Sequence, residues 1–283
     1  MNDTFLLGGD LEVHRLGFGA MRITGDGIWG EPADPAGCRE LLRHLVDRDV
    51  NLIDTADAYG PEVSENLIAE ALRPYPDNLV IATKGGLERP GPGRWVPNCR
   101  PDRLKRCCEA SLKRLKLERI DLYQLHTVDP KVPVEDSIGA LVELQEEGKI
   151  RHIGVSNVTL EQLERAQQIA TVVSVQNRYN VADRASEDVL NECERQGLAF
   201  FPWAPIASGS DLAGRGAAVD EVAGAHGASA RQVALAWLLQ HSAVTLPIPG
   251  TSTIAHFEEN FAAAQLELDQ DELEALDELA AAS

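Results

Sequence analysis

The sequence is short of cysteine, of positive charge and of long apolar runs, and each shortage excludes something. Five cysteines, Cys38, Cys99, Cys107, Cys108 and Cys193, are scattered and odd in number. They read as free thiols in a reducing compartment rather than as a disulfide framework. No CxxC pair or Cys/His cluster has zinc-like spacing, so no metal is expected. No run approaches the roughly 18 apolar residues of a membrane span. The first residues, MNDTFLLGGDLEVHRLG, lack the basic and apolar regions of a leader, so the cytoplasm is the expected location. Lys and Arg number 26 against 45 Asp and Glu, a formal charge of −19. Such a balance argues against nucleic acid and anionic membranes as partners. No low-complexity tract or composition shift marks a boundary, so residues 1–283 read as a single domain.

What is present is an alternation. Short apolar runs at Leu16–Gly19, Val50–Ile53, Leu79–Ala82, Ile120–Leu125, His152–Val155, Val172–Val175, Leu198–Phe201 and Thr245–Ile248 read as eight strands. Amphipathic stretches at Pro35–Asp49, Val63–Leu72, Pro101–Leu117, Val134–Gly148, Leu160–Ala170, Arg184–Gln196 and Ala230–Gln240 read as helices between them. Pro35 and Pro101 suit a first helical turn, Asp183 a cap, and Gly148 and Gly197 helix ends. Eight β/α units in this length fit an α/β fold of the (β/α)8 TIM-barrel type. The competing doubly wound sheet needs G-x-G-x-x-G after its first strand, and GFGAMRITGDG does not supply it. Residues Phe5–Leu7 and Leu11–Val13, joined by Gly8-Gly9, suggest an N-terminal β-hairpin that caps the barrel's lower end. Helices at Ile254–Ala264 and Gln270–Ala281 are extra C-terminal elements.

In such a barrel the chemistry belongs at the C-terminal ends of the strands. The successive strand ends deliver Asp54 with Tyr59 on its loop, Lys84, His126, Ser156-Asn157, Gln176, Trp203, and Pro249-Gly250-Thr251-Ser252. Alone, each has an ordinary reading: a cap, a solvated lysine, a core histidine. Together on neighbouring strands they have a chemical use. A phenol gives up its proton reluctantly near pH 7. An ammonium beside it stabilises the phenolate, by an attraction on the order of 4 kcal/mol at about 4 Å. Asp54 can keep Lys84 charged, and His126 can orient a substrate oxygen. The set suits proton delivery to a carbonyl oxygen while something else adds to the carbon.

At this point the residues carry a resemblance. The segments LGFGAM, NLIDTADAYG, ATK at 82–84, LYQLH, GKIRHIGVSN, VQNRYN, FFPWAPIASG and IPGTSTIAHFEEN together resemble the aldo-keto reductases, nicotinamide-dependent enzymes on a (β/α)8 barrel. The resemblance covers essentially the whole chain. It implies catalytic roles for Tyr59 as general acid, Lys84 and Asp54 as its tuners, and His126 as the group that orients the carbonyl. Ser156, Asn157 and Gln176 would bind the nicotinamide carboxamide. Trp203 would stack on the ring, where a tyrosine is usual. Gly19, Met21, Asp54, Pro205, Ile206 and Ser208 would line the rest of the cofactor's path. The segment with Gly250, Thr251, Ser252, His256, Glu259 and Asn260 would hold the adenosine end.

One departure stands out. The Lys and Arg that many members place against the 2′-phosphate look like Gly250 and His256 here. NADPH is still the expected cofactor, with tolerance of NADH left open. A small-molecule carbonyl compound is the expected substrate, and Trp29, Tyr59, Trp95 and His126 are candidates for an aromatic pocket. For Trp29 and Trp95 the ordinary alternative is a loop-packing anchor, and Arg22 or Arg94 could meet a substrate anion. The phrases GFGAMRITG, VQNRYN and IPGTSTIAHFEEN are similar to a bacterial branch that includes pyridoxal reductases, which points to pyridoxal or another aromatic aldehyde. A reductase of a sugar or polyketide-derived ketone and a slow cofactor-sensing subunit are the rival readings. A barrel hydrolase or aldolase is disfavoured, since Lys84 has a carboxylate partner. A monomer or weak homo-oligomer is expected.

Overall fold

The computed structural model describes residues 3–206 and 216–281. A hairpin of β1 (Thr4–Leu7) and β2 (Leu11–His14) comes first. The chain then alternates β3 (Phe18–Gly19), α1 (Pro35–Asp47), β4 (Leu52–Asp54), α2 (Val63–Leu72) and β5 (Val80–Gly85). A second hairpin, β6 (Leu87–Gly91) and β7 (Arg94–Pro97), precedes α3 (Pro101–Leu115), β8 (Ile120–Leu125), α4 (Val134–Glu146), β9 (Ile150–Ser156), α5 (Leu160–Gln167), β10 (Val172–Arg178), α6 (Glu187–Gln196) and β11 (Ala199–Trp203). Four helices follow: α7 (Gly216–His226), α8 (Ala230–His241), α9 (Ile254–Ala262) and α10 (Gln270–Ala281).

The main sheet is seven-stranded and parallel, in the order β11-β10-β9-β8-β5-β4-β3. The expected eighth strand, Thr245–Ile248, is not a regular one. Its backbone is bonded on both sides, however. Phe200 N donates to Val244 O (2.8 Å) and Leu246 N to Phe200 O (2.8 Å), while Gly17 N donates to Pro247 O (2.9 Å) and Gly19 N to Pro249 O (3.4 Å). Pro247 and Pro249 have no N–H to return, so a ladder toward β3 cannot form. The segment bridges the sheet's two edges through carbonyls, which makes the architecture barrel-like.

Period-two alternation decides what points inward. Leu52, Val80, Ala82, Leu122, Ala199, Phe201, Leu246 and Ile248 form one buried cluster. Two residues further along the same faces come Asp54 after Leu52, Lys84 after Ala82, Gln124 and His126 after Leu122, Trp203 after Phe201, and Gly250 after Ile248. The apolar stack thus becomes the floor beneath the polar strand ends. Outward-facing residues such as Ile53, Ile81, Ile153 and Val175 belong to two larger clusters with the helices.

Leu7 and Val13 of the first hairpin are fully buried in the inner cluster. Asn51, just before β4, ties down β2 by accepting from His14 N (2.8 Å) and donating to Glu12 O (2.9 Å).

Local signals behaved unevenly. Asp34 caps α1 by accepting from Gly37 N, with Pro35 in the first turn. Gly197 ends α6 at φ 69°. Asp183, expected as the cap of α6, instead pairs with Arg178 (2.6 Å), and the helix begins three residues later than expected, at Glu187. Helix α7 and the β6–β7 hairpin had no sequence expectation.

Candidate active site

The loop after β4 stays attached to the end of β5. Thr55 N donates to Ala82 O (2.8 Å) and Asp57 N to Lys84 O (3.2 Å). This continuation of the ladder holds Tyr59 over the same rim as Asp54. Lys84 lies beneath, completely buried. Its ammonium donates to Asp54 Oδ2 (2.6 Å), Thr55 O (2.9 Å) and Tyr59 Oη (3.4 Å). The other Asp54 oxygen, Oδ1, accepts from Gln176 Nε2 (2.9 Å) and Gln124 Nε2 (3.1 Å). A carboxylate and an ammonium removed from water are tolerable here because both are paired and hydrogen-bonded.

The electrostatics differ from the expectation for an isolated Lys–Tyr pair. Burial raises the Tyr59 phenol above its ordinary pKa; Lys84 pulls it back, and Asp54 pushes it up again. The net direction is upward, so Tyr59 holds its proton firmly, and the ammonium limits the rise rather than reversing it. The shortest Lys84 contact goes to Asp54, which explains the balance. For Lys84 itself burial pulls downward, but Asp54 and then Tyr59 outweigh it, and the ammonium stays charged. His126 is held well below the ordinary imidazole value, first by burial and then by the positive Lys84 and Arg89. It is therefore neutral at pH 7, and its Nδ1 is buried without a partner among the described residues.

Tyr59, Trp95 and His126 meet edge to face, with ring centroids 5.8 to 6.4 Å apart. This aromatic end opens into a cleft of about 1180 Å³. The structure brings Gly19, Met21, Asp54, Ser156, Asn157, Gln176, Trp203, Pro205, Ile206 and Gly250 to its walls as well. Trp29 is absent from that lining; the neighbouring Ile28 takes its place. The Trp29 backbone is bridged to Gly60, and its ring lies 5.7 Å from the Arg89 guanidinium. Thr251, Ser252, His256, Glu259 and Asn260 also lie outside the lining. Of these, Ser252 and His256 are exposed, and Asn260 is buried with its Oδ1 unpartnered among the described residues. Ser208 lies outside the described residues. Arg22 lines the cleft and Arg94 does not.

The hydrogen-bond inventory narrows what these walls can offer. Both N–H groups of the Asn157 amide are committed, to His126 O (3.0 Å) and Ser156 Oγ (3.0 Å). Its Oδ1 already accepts from Trp203 Nε1 (2.9 Å). Gln176 spends an N–H on Asp54 and keeps Oε1. Ser156 keeps its own O–H to donate. The backbones of Gly19 and the 248–250 segment run so close that a β-carbon on Gly19 would lie 2.5 Å from Ile248 O, and one on Gly250 2.6 Å from Gly19 O. No side chain fits at either position.

Sequence reasoning missed Gln124 and Arg89. The signal for Gln124 was in LYQLH, where period two puts Gln124 on the same inward face as His126. Arg89 gave none, because it acts through a hairpin the sequence did not announce. Cations at Arg178 and Arg231 also line the cleft.

Three comparisons bear on this site. The profile of the Aldo/keto reductase family matches residues 15–281. The chain is 50% identical over 270 residues to "Uncharacterized oxidoreductase C215.11c" of Schizosaccharomyces pombe, covering 95% of this chain and 88% of that one. It is 41% identical over 282 residues to pyridoxine 4-dehydrogenase of Escherichia coli, covering 98% of each. Among solved structures, an aldo-keto reductase of Klebsiella pneumoniae in complex with NADPH superposes with a TM-score of 0.83 at 28% identity, covering 99% of this chain and 95% of that one.

Proposed function

The chain belongs to the aldo/keto reductase family, and from that premise we propose that it reduces an aromatic aldehyde, pyridoxal or a close analogue, with NADPH. The carrying observation is a proton-holding phenol, Tyr59, backed by a buried ammonium–carboxylate pair and facing the cleft beside a neutral imidazole. Residues 1–283 act as one barrel domain, with the N-terminal hairpin capping the opposite mouth.

The residues present suit the cofactor. Ser156 O–H and Gln176 Oε1 form a donor–acceptor pair for a carboxamide, Asn157 adds a lone pair, and the Trp203 ring offers a flat face. The close backbone approach at Gly19 and Gly250, with Met21, Pro205 and Ile206, provides a wall for an extended ligand; Ser208 belongs to the same stretch of sequence. Thr251, Ser252, His256, Glu259 and the unpartnered Asn260 are the candidates for the adenosine end. When bound, NADPH supplies the hydride to the carbonyl carbon. The protein's part is the proton. Neutral His126 hydrogen-bonds the carbonyl oxygen and fixes its direction. Tyr59 gives its Oη–H to that oxygen, and Lys84 stabilises the tyrosinate left behind until solvent reprotonates it. Asp54 keeps Lys84 charged and does not touch substrate.

The aromatic wall of Tyr59, Trp95 and His126 supports a flat substrate. So does the 41% identity to a protein named for pyridoxine. The test is Tyr59→Phe. It should leave NADPH binding intact while lowering kcat by about 10² to 10⁴, the range of general acid catalysis. Undiminished reduction of pyridoxal by that variant would sink the mechanism. Slow turnover of every carbonyl by the wild type, with tight cofactor retention, would mark a cofactor-sensing subunit instead.

A further inference from the structure

Arg89 is a buried arginine that pairs with no acid among the described residues. Its Nε donates to Arg94 O (3.1 Å), Nη1 to Ala58 O (2.9 Å) and Nη2 to Gly27 O (3.1 Å). Those three carbonyls belong to three segments: the β6–β7 hairpin, the loop that carries Tyr59, and the loop that follows β3. Burial lowers its pKa, and among the described residues no carboxylate is close enough to raise it. A guanidinium nonetheless stays charged at neutral pH. Its carbon lies 3.6 Å from the centroid of the Trp95 ring. Trp95 in turn meets Tyr59 and His126 edge to face.

Carbonyl bonds alone would explain a clamp. They do not explain an uncompensated charge laid on the face of the indole that lines the cleft. A desolvated cation over a tryptophan is held there by the ring's quadrupole, and it fixes the plane of that ring. Held in that plane, the indole favours stacking with a flat aromatic ring and gains nothing comparable from a saturated one of the same size.

We propose that Arg89 is a specificity-determining residue, which sets Trp95 as a cation-backed aromatic wall and so selects flat aromatic carbonyl compounds over saturated ones. The assignment rests on the carbonyl-reductase reading of the same cleft. Arg89 touches neither substrate nor cofactor; it acts through Trp95.

The experiment compares benzaldehyde with cyclohexanecarbaldehyde in Arg89→Met, Arg89→Lys, Trp95→Leu and the Arg89→Met/Trp95→Leu pair. In Arg89→Met, kcat/KM for benzaldehyde should fall about tenfold further than for the saturated aldehyde, roughly the 1.4 kcal/mol a desolvated cation–π contact can supply. The loss should sit in KM rather than kcat. Arg89→Lys, which keeps the charge, should recover part of the preference. Trp95→Leu should abolish it without disturbing the Arg89 bonds, and the double variant should lose nothing more. Equal losses for the two aldehydes, or a lysine variant no better than methionine, would overturn the proposal. So would a double variant that loses preference beyond Trp95→Leu. Should Arg89→Met fail to fold, Trp95→Leu and Arg89→Lys carry the same ratio. Wild-type protein that turns over neither aldehyde counts against the reductase reading instead. In that event, titrating benzamide against cyclohexanecarboxamide by intrinsic fluorescence reads the wall's preference without turnover.

Discussion

The two ends of the cleft are built on different principles. At the reaction end every ionised group has its partners: both Asp54 oxygens are bonded, and Lys84 is tied to a carboxylate, a carbonyl and a phenol. Asp54, Lys84, Gln124 and Gln176 stand on strand ends fixed by the barrel floor, where side-chain position is held to the accuracy catalysis needs. The far end is looser in its bonding. Arg22 and Arg231 line the cleft there, are exposed, and have no ion pair or hydrogen bond among the described residues. Chemistry needs groups whose partners are already in place before substrate arrives. Binding of an anionic cofactor is served better by charges left without partners until the ligand supplies them.

Breaking the tied end should have the largest effect. Lys84→Met leaves Asp54 buried with Oδ2 facing no cation, and removal of one member of a buried pair costs about 3–5 kcal/mol. Urea denaturation should show a loss of that size, and carbonyl reduction should collapse with it. The double variant Asp54→Leu/Lys84→Met should regain most of the stability while remaining inactive. If the double variant is as unstable as the single, the pair is holding the fold and not merely tolerated by it.

The same contrast explains what was legible in the sequence. Asp54, Lys84, His126 and Gln176 stand at the ends of apolar runs, and period two fixes which way they point. Eight of the expected helix starts matched to the residue, at Pro35, Val63, Pro101, Val134, Leu160, Ala230, Ile254 and Gln270, and at most of them the reason is local: a proline or a capping side chain such as Thr159, Ser229 or Thr253 sits there. The losses had other causes. The last strand failed as a strand because Pro247 and Pro249 withhold donors, although the apolar pattern was right. Asp183 pairs with Arg178, five residues earlier, instead of capping, because the chain after β10 turns back on itself. Trp29 and Trp95 looked alike, both in Gly/Pro-rich loops, and Arg89 separates them by holding one ring against the cleft at 3.6 Å and the other at 5.7 Å. The sign of the Tyr59 shift was missed because burial, which the sequence does not show, outweighs the lysine.

The back of the Tyr59 loop is an exception to the rule that buried charges near the reaction end are satisfied, and it offers the next prediction. Asp57 is buried, its Oδ1 has no partner among the described residues, and burial, followed by the charge of Glu65, raises its pKa to about 7 against the opposing pull of Cys107, Arg103 and Arg114. A carboxyl whose pKa rises on folding stabilises fully below its unfolded value of about 3.8. It loses that contribution as pH climbs through about 7. At roughly 1.4 kcal/mol per unit the whole loss is at most about 4 kcal/mol. Asp57→Asn cannot ionise and should be the more stable protein at pH 8, with its advantage shrinking toward pH 4. Denaturation curves at those two values check it. An advantage that is absent at pH 8, or that does not shrink on acidification, would mean the carboxylate finds compensation when charged.

The smallest effect belongs to the open end, and it sharpens the comparison most. Gly250 cannot carry a cation, because Gly19 O lies where its side chain would begin; the Arg22 side chain already passes there, its Cγ 3.3 Å from that point. Arg22, from the segment after β3, thus passes beside the uncharged position 250, and Arg231 at the start of α8 is a second cation on the cleft wall. Arg22→Gln and Arg231→Gln should each weaken NADPH binding about two- to fivefold, the worth of an exposed charge contact, without altering kcat. Titration by fluorescence against both cofactors divides the two roles. A charge that meets the 2′-phosphate affects NADPH and spares NADH, whereas one that meets the shared pyrophosphate weakens both. Raised salt should mimic either variant, since contacts this exposed are screened within about 10 Å at 0.1 M, and the same salt should leave the Asp54–Lys84 pair unaffected. Equal insensitivity of both cofactors to both variants would show that the far end binds through its backbone and neutral side chains alone.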